Sequence, residues 1–154
     1  MENKLKQNLA DWIITYLKNR DLMFRKIESV EQNKDGFDFY IKFKDKEQFF
    51  LVMPLLQDIP NILSKFNSEN HFGLVVFNTH ENFDLLIKEW EKFAGIKNLS
   101  IYFINPFSNL DKKWIIHPYT HNNICEKNAL KKGLKSMFEM VEPLTDHQIK
   151  DRFK

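Results

Sequence analysis

Hydrophobic and polar positions along this chain follow two different periods, and the switches between them mark out its elements. Over residues 3–19, Leu5, Leu9, Trp12, Ile13, Tyr16 and Leu17 recur at three- and four-residue spacing. That spacing predicts an amphipathic helix, ended near Arg20 and Asp21. Residues 37–44 change to a period of two. Phe37, Phe39, Ile41 and Phe43 are expected on one face, and Asp38, Tyr40, Lys42 and Lys44 on the other. A weaker alternation over 23–32 predicts a strand before it, and Asn33, Lys34, Asp35 and Gly36 form the turn between them. Asp45, Lys46 and Glu47 make a second tight turn. An apolar strand over 49–53 then runs to Pro54 and completes a three-strand meander.

Asp58 is the expected cap of a short helix with Pro60 in its first turn and Ile59, Ile62, Leu63 and Phe66 inside. A polar loop covers 67–70. Residues 73–77 read as a buried strand. Asn78 or Thr79 then caps a helix with Phe83, Leu86, Ile87, Trp90, Phe93 and Ala94 on one stripe. Glu81 completes a capping box there, and Gly95 takes the glycine position past the end. A strand over 99–104 closes a βαβ unit, so its two strands are expected to be parallel. Residues 114–117 form a last strand, broken by Pro118. Asn123 with Glu126 is expected to open a helix running to about 141, with Leu130, Leu134, Met137, Phe138 and Val141 inward. Thr145 with Gln148 caps a final helix, and Leu144 with Ile149 staples it. The expected architecture is one α/β domain over 1–154. Its mixed sheet joins an antiparallel meander to a parallel βαβ unit, flanked by helices.

Composition narrows the partners. Lys and Arg number 23 and Asp and Glu 21, a net charge of +2, which excludes a strongly basic coat protein and an acidic disordered tail. Fifteen Phe against four Gly predict an aromatic core. The single cysteine, Cys125, allows no intramolecular disulfide and fits a reducing cytoplasm. No apolar run reaches the ~18 residues of a bilayer span. No signal-peptide core follows the first residues. A cytoplasmic location without a membrane partner is therefore expected.

The element order, a helix, a three-strand meander, then a helix and further strands, resembles the restriction-endonuclease-like superfamily of PD-(D/E)xK nucleases over residues 3–117. The resemblance implies an acid on the second strand, a (D/E)-x-K on the third, a metal on the carboxylates and a lysine that positions the attacking water. Asp38 stands where the first acid would be. The third strand, Phe49, Phe50, Leu51, Val52 and Met53, offers no carboxylate and no lysine. A D-x-K triplet occurs at Asp111, Lys112 and Lys113, outside the meander. The motif is read as lost, and the expected function is non-catalytic. It is that of a binding or scaffolding protein of nuclease-like fold that contacts DNA or RNA, with no cofactor. Two alternatives stay open. One is a Mg²⁺-dependent nuclease using Asp38 with a displaced Asp111 and Lys113. The other is a protein–protein adaptor, a homodimer included.

Three further groups carry candidate chemistry. Lys127, Lys131, Lys132 and Lys135 share the outer face of the last long helix. With Lys112 and Lys113 they form a possible phosphate-binding stripe, a pattern that a plain solvated face also produces. His117, His121 and Cys125 are ligand types that suit zinc, with His147 a distant fourth, although Pro118 interrupts the spacing. A helix N-terminus at Asn123 would instead attract an anion, assisted by His121, and would lower the pKa of Cys125. Finally, Asn78, Thr79, His80, Asn105 and Ser108 fall beyond the carboxyl ends of the parallel strands, where α/β sheets bind small ligands. No glycine-rich phosphate fingerprint accompanies them.

Overall fold

The stripe of Leu5, Leu9, Ile13 and Leu17 buries completely, on a helix α1 (Glu2–Asp21) laid across one face of a six-stranded sheet. The computed structural model describes residues 2–66 and 69–152, so the first two positions of the 67–70 loop lie outside it. The strands are β1 (Ile27–Lys34), β2 (Phe37–Phe43), β3 (Glu47–Val52), β4 (His71–Phe77), β5 (Leu99–Ile104) and β6 (Lys113–Ile116). They stand in the sheet in chain order. β1, β2 and β3 are antiparallel neighbours, β3, β4 and β5 are parallel, and β6 returns antiparallel to β5. The remaining helices are α2 (Ile59–Lys65), α3 (His80–Lys88), α4 (Trp90–Ala94), α5 (Pro118–Ile124), α6 (Lys127–Glu139) and α7 (Asp146–Arg152). α2, α3, α4 and α6 pack on the face opposite α1, and α7 joins α1 through Ile149. Among the described residues, no helix is long and apolar enough to cross a membrane.

Local chemistry explains where expectation holds and where it shifts. Asp35 and Gly36 both lie in the left-handed region, at φ 54° and 81°, and form the two-residue turn that matches hairpin twist. β1 starts only at Ile27. The Asp21 carboxylate accepts the backbone N–H groups of Lys26 and Ile27 at 2.9 Å each, which fixes a turn where a strand is predicted. Phe37 does not share a face with Phe39 and Ile41. It packs with Phe49, Phe66 and Phe72 on the α2 side, while the other two face α1. The backbone ladder from β2 to β3 stops at Phe39 and Phe50, and the Asp38 side chain takes the next donor, Val52 N–H, at 2.7 Å.

The helix predicted over 79–94 breaks at Glu89 into α3 and α4. Asn123 does not start a helix either. Pro118 opens α5 in its first turn, where a missing N–H is harmless. Cys125 and Glu126 are extended, at ψ 137° and 140°, before α6 begins. Asp58 sits left-handed before α2 and makes no side-chain cap. Thr79 does cap α3, accepting from Asn82 N–H at 3.1 Å. Thr145 and Gln148 exchange the reciprocal bonds of a capping box, at 2.9 and 3.2 Å. Gly95 ends α4 at φ −75°, without the left-handed conformation expected of it.

Candidate functional site

Asp38 lies near the N-terminal end of β2, half under α1. One carboxylate oxygen accepts from Val52 N–H, and the other meets the Lys6 ammonium of α1 at 2.7 Å. On the same face of β3 the nearest side chains are Phe50 and Val52, both fully buried and apolar. A cavity of about 250 Å³ adjoins Asp38, and among the described residues Asp38 is the only carboxylate that lines it. A divalent metal needs several oxygen ligands, and this position supplies one carboxylate already committed to a backbone donor and a lysine.

Asp111 and Lys113 do not complete it. β2 and β6 are separated by three strands, ~19 Å at the usual strand spacing. Asp111 bridges to Val141, and the Lys113 ammonium lies 5.3 Å from the ring centre of Tyr16. The three residues of the displaced motif therefore stand in two places. Lys112 is also spent locally, donating to the carbonyls of Pro106 and Ser108, so it does not extend the lysine stripe of α6.

The carboxyl ends of β4 and β5 hold a buried polar network in place of a crevice. Asn78 is fully buried. Its amide NH₂ donates to Val141 C=O at 3.0 Å, and its oxygen accepts from Trp114 Nε1 at 2.7 Å. Asn105 donates to Glu142 C=O at 2.7 Å, and Ser108 Oγ accepts from Glu142 N–H at 3.4 Å. Asn82 donates to the carbonyls of Pro54 and Phe77 and accepts from Leu56 N–H. The segment 141–144 thus fills the place where a ligand was expected, and His80 packs its ring on Phe138. The amides satisfy the chain's own backbone.

The His117, His121 and Cys125 group also disperses. His117 Nδ1 shares a 2.9 Å hydrogen bond with Ser100 of β5, the His121 ring packs edge-on to Trp90, and Cys125 sits past the end of α5. Among the described residues, no three His, Cys, Asp or Glu side chains are placed to hold a metal ion. Because Asn123 lies within α5, the helix N-terminus proposed there for an anion does not exist.

Lys127, Lys131, Lys132 and Lys135 all lie on α6. All four are exposed, Lys127, Lys131 and Lys135 at four-residue spacing beside the buried Leu134 and Phe138 and Lys132 further round, and none makes an ion pair among the described residues.

A cavity of about 540 Å³ lies elsewhere, between the end of α1 and the ends of β2, β3, β5 and β6. Its wall includes Arg20, Lys26, Lys46, Ser100, Tyr102 and His117. Sequence reasoning missed it, because its parts come from four separate stretches of the chain. The one available signal was the density of Arg and Lys across 18–26 and 42–46. Burial first, then Lys46 and Arg20, hold the His117 imidazole below its ordinary pKa of 6.5. A Ser–His nucleophile needs a carboxylate to orient and stabilise its imidazolium, whereas both charges acting on His117 are positive. Burial, then Lys46, lowers His71 in the same direction.

A pH dependence follows from these two histidines. The folded chain binds fewer protons than the unfolded chain at pH values just below 6.5, so stability rises with pH there and is lost as pH falls below 6.5. The urea midpoint is expected to drop across that window. His117→Asn is expected to flatten the drop, and an unchanged slope in that variant would exclude His117 as its source.

Comparison with protein-family models, with curated proteins and with solved structures finds no match to this chain.

Proposed function

We propose that this chain is a non-catalytic binding protein built on a restriction-endonuclease-like frame, and that it holds nucleic acid through the lysine stripe of α6. The frame is supported by the order of α1, the β1–β3 meander, α2 and β4. The observation that carries the non-catalytic reading is the state of Asp38. Both its oxygens serve the fold, and Phe50 and Val52 occupy the neighbouring positions where carboxylate and lysine would be needed. The nucleic-acid reading rests on four exposed lysines without carboxylate partners among the described residues, since unpaired cations are the ones available to phosphates.

The test is fluorescence anisotropy with labelled duplex and single-stranded DNA, across salt and with or without Mg²⁺. Binding that weakens steeply with salt and no cleavage in Mg²⁺ are expected. Changing Lys127, Lys131, Lys132 and Lys135 together to Gln is expected to flatten the plot of log K against log salt by about 0.9 for each phosphate no longer neutralised. Binding that ignores these four changes, or is absent at low salt, overturns the lysine stripe. Mg²⁺-dependent cleavage that disappears in Asp38→Ala overturns the non-catalytic reading.

A further inference from the structure

The late start of β1 uncovers a surface. Leu22, Met23 and Phe24 are 71%, 89% and 67% exposed, on the turn between α1 and β1. Hydrogen bonds fix this turn. Leu22 N–H donates to Asn19 C=O, and the N–H groups of Phe24 and Arg25 donate to Asp21 C=O. The Asp21 carboxylate closes it on Lys26 and Ile27. Three consecutive large apolar side chains held in water by an ordered turn mark a surface that meets a partner.

The charge around the turn indicates which partner. Phe24 and Lys26 also wall the 540 Å³ cavity, together with Arg20 and Lys46. Arg20, Arg25, Lys26 and Lys46 are exposed and make no ion pair among the described residues. Two acids share the cavity wall with the three cations Arg20, Lys26 and Lys46, which leaves it a net charge of +1: Asp21 has both oxygens bound to backbone donors, and Asp45 is exposed next to Lys46. The apolar tip is thus backed by cations with a cavity between them. A protein partner would need a socket shaped to three neighbouring side chains. A bilayer surface accepts apolar side chains in any arrangement, and its anionic lipids attract the flanking cations. Such docking needs no spanning helix.

We propose that this end of the molecule docks on an anionic lipid bilayer. Leu22, Met23 and Phe24 enter the boundary between headgroups and acyl chains. Arg20, Lys26 and Lys46 hold a lipid phosphate at the cavity mouth. The inference goes beyond the nucleic-acid reading and uses none of its residues.

The experiment is co-sedimentation of the full chain with two sets of vesicles, phosphatidylcholine alone and phosphatidylcholine with phosphatidylserine, at low and near-physiological salt. Binding to the anionic vesicles and little to the neutral ones is expected. The variant L22S/M23S/F24S alters only exposed side chains, and is expected to lose at least about tenfold in partitioning. K26A/K46A is expected to lose about fivefold for each cation near the surface. The α6 Gln variant is expected to sediment like the natural chain, so this inference and the nucleic-acid reading fail separately. Inorganic phosphate at millimolar level is expected not to displace the vesicles, and full displacement would make the cavity a free-phosphate site instead. Undiminished binding by L22S/M23S/F24S overturns the proposal. So does the absence of vesicle binding, including the case where the tip variant turns a dimer into a monomer and the tip proves to be a contact between copies.

Discussion

Replacing Asn78 with alanine is expected to remove about 3–5 kcal/mol of folding stability. The residue is fully buried, and its side chain satisfies groups on two distant segments. Its loss leaves Trp114 Nε1–H without its acceptor at 2.7 Å and Val141 C=O without its donor at 3.0 Å. An orphaned buried donor or acceptor costs roughly 1–3 kcal/mol, and a cavity adds to that. Asn78→Asp keeps an acceptor for Trp114 but deletes the donor to Val141 and introduces a buried charge, so it is expected to be no better tolerated. Urea unfolding followed by tryptophan fluorescence measures both. A loss under about 1 kcal/mol would mean that water replaces the amide. The carboxyl ends of β4 and β5 would then be accessible, and that edge would return as a ligand site.

Gly73→Ala is expected to destabilise by about 2–3 kcal/mol, at the upper end for overpacking, although it adds a single methyl group. The Phe50 ring lies directly on Gly73, and a Cβ there would overlap the ring carbons Cδ2 and Cε2. The ring has nowhere to go. It stacks on Phe39 at 4.4 Å between ring centres and tilts against Tyr102 at 6.0 Å, under α1. A smaller partner should relieve the clash, so Gly73→Ala in a Phe50→Leu background is expected to cost at least about 1 kcal/mol less than in the natural chain. Additive losses in the four-member cycle would show that β4 shifts to accommodate the methyl group and that the contact with Phe50 is not what requires glycine.

The strands around these two residues show how far the sequence could be read. α1, the meander and the parallel pair β4 and β5 were legible, because each follows a period or a turn signal within its own segment. The parallel pairing of β3 with β4 was not. Both strands are apolar on both faces, so neither carries an alternation that names its neighbour. Phe37 was assigned to the wrong face because strict alternation assumes an unbroken ladder, and the ladder ends where Asp38 substitutes its side chain for a backbone acceptor. The weak alternation over 23–32 starts the strand four residues early, since the Asp21 carboxylate that fixes the turn before Ile27 acts only in space.

The candidate sites were less legible for a related reason. Asn78, Asn105 and Ser108 have the chemistry of a ligand edge. What fills that edge is the segment 141–144, more than 30 residues further along the chain, and no local pattern reveals it. The exposure of the α6 lysines was legible, because which positions of a helix are polar is a local property.

The sheet lists its strands in the order in which the chain is made. It can therefore grow during synthesis by adding each new strand to one edge, and no strand has to be inserted between two already paired. The drawback is that every strand is for a time the open edge. β1 is mostly exposed and rich in polar side chains, so the far edge is protected from the beginning. β4 and β5 are almost entirely buried in the finished fold, and until β6 emerges β5 presents an unpaired apolar backbone to the surroundings. β6 is only four residues long and starts with Lys113, features that close an edge and discourage further pairing. A chain released between residues 104 and 113 is thus the species most prone to aggregate, and the short last strand is what ends that exposure.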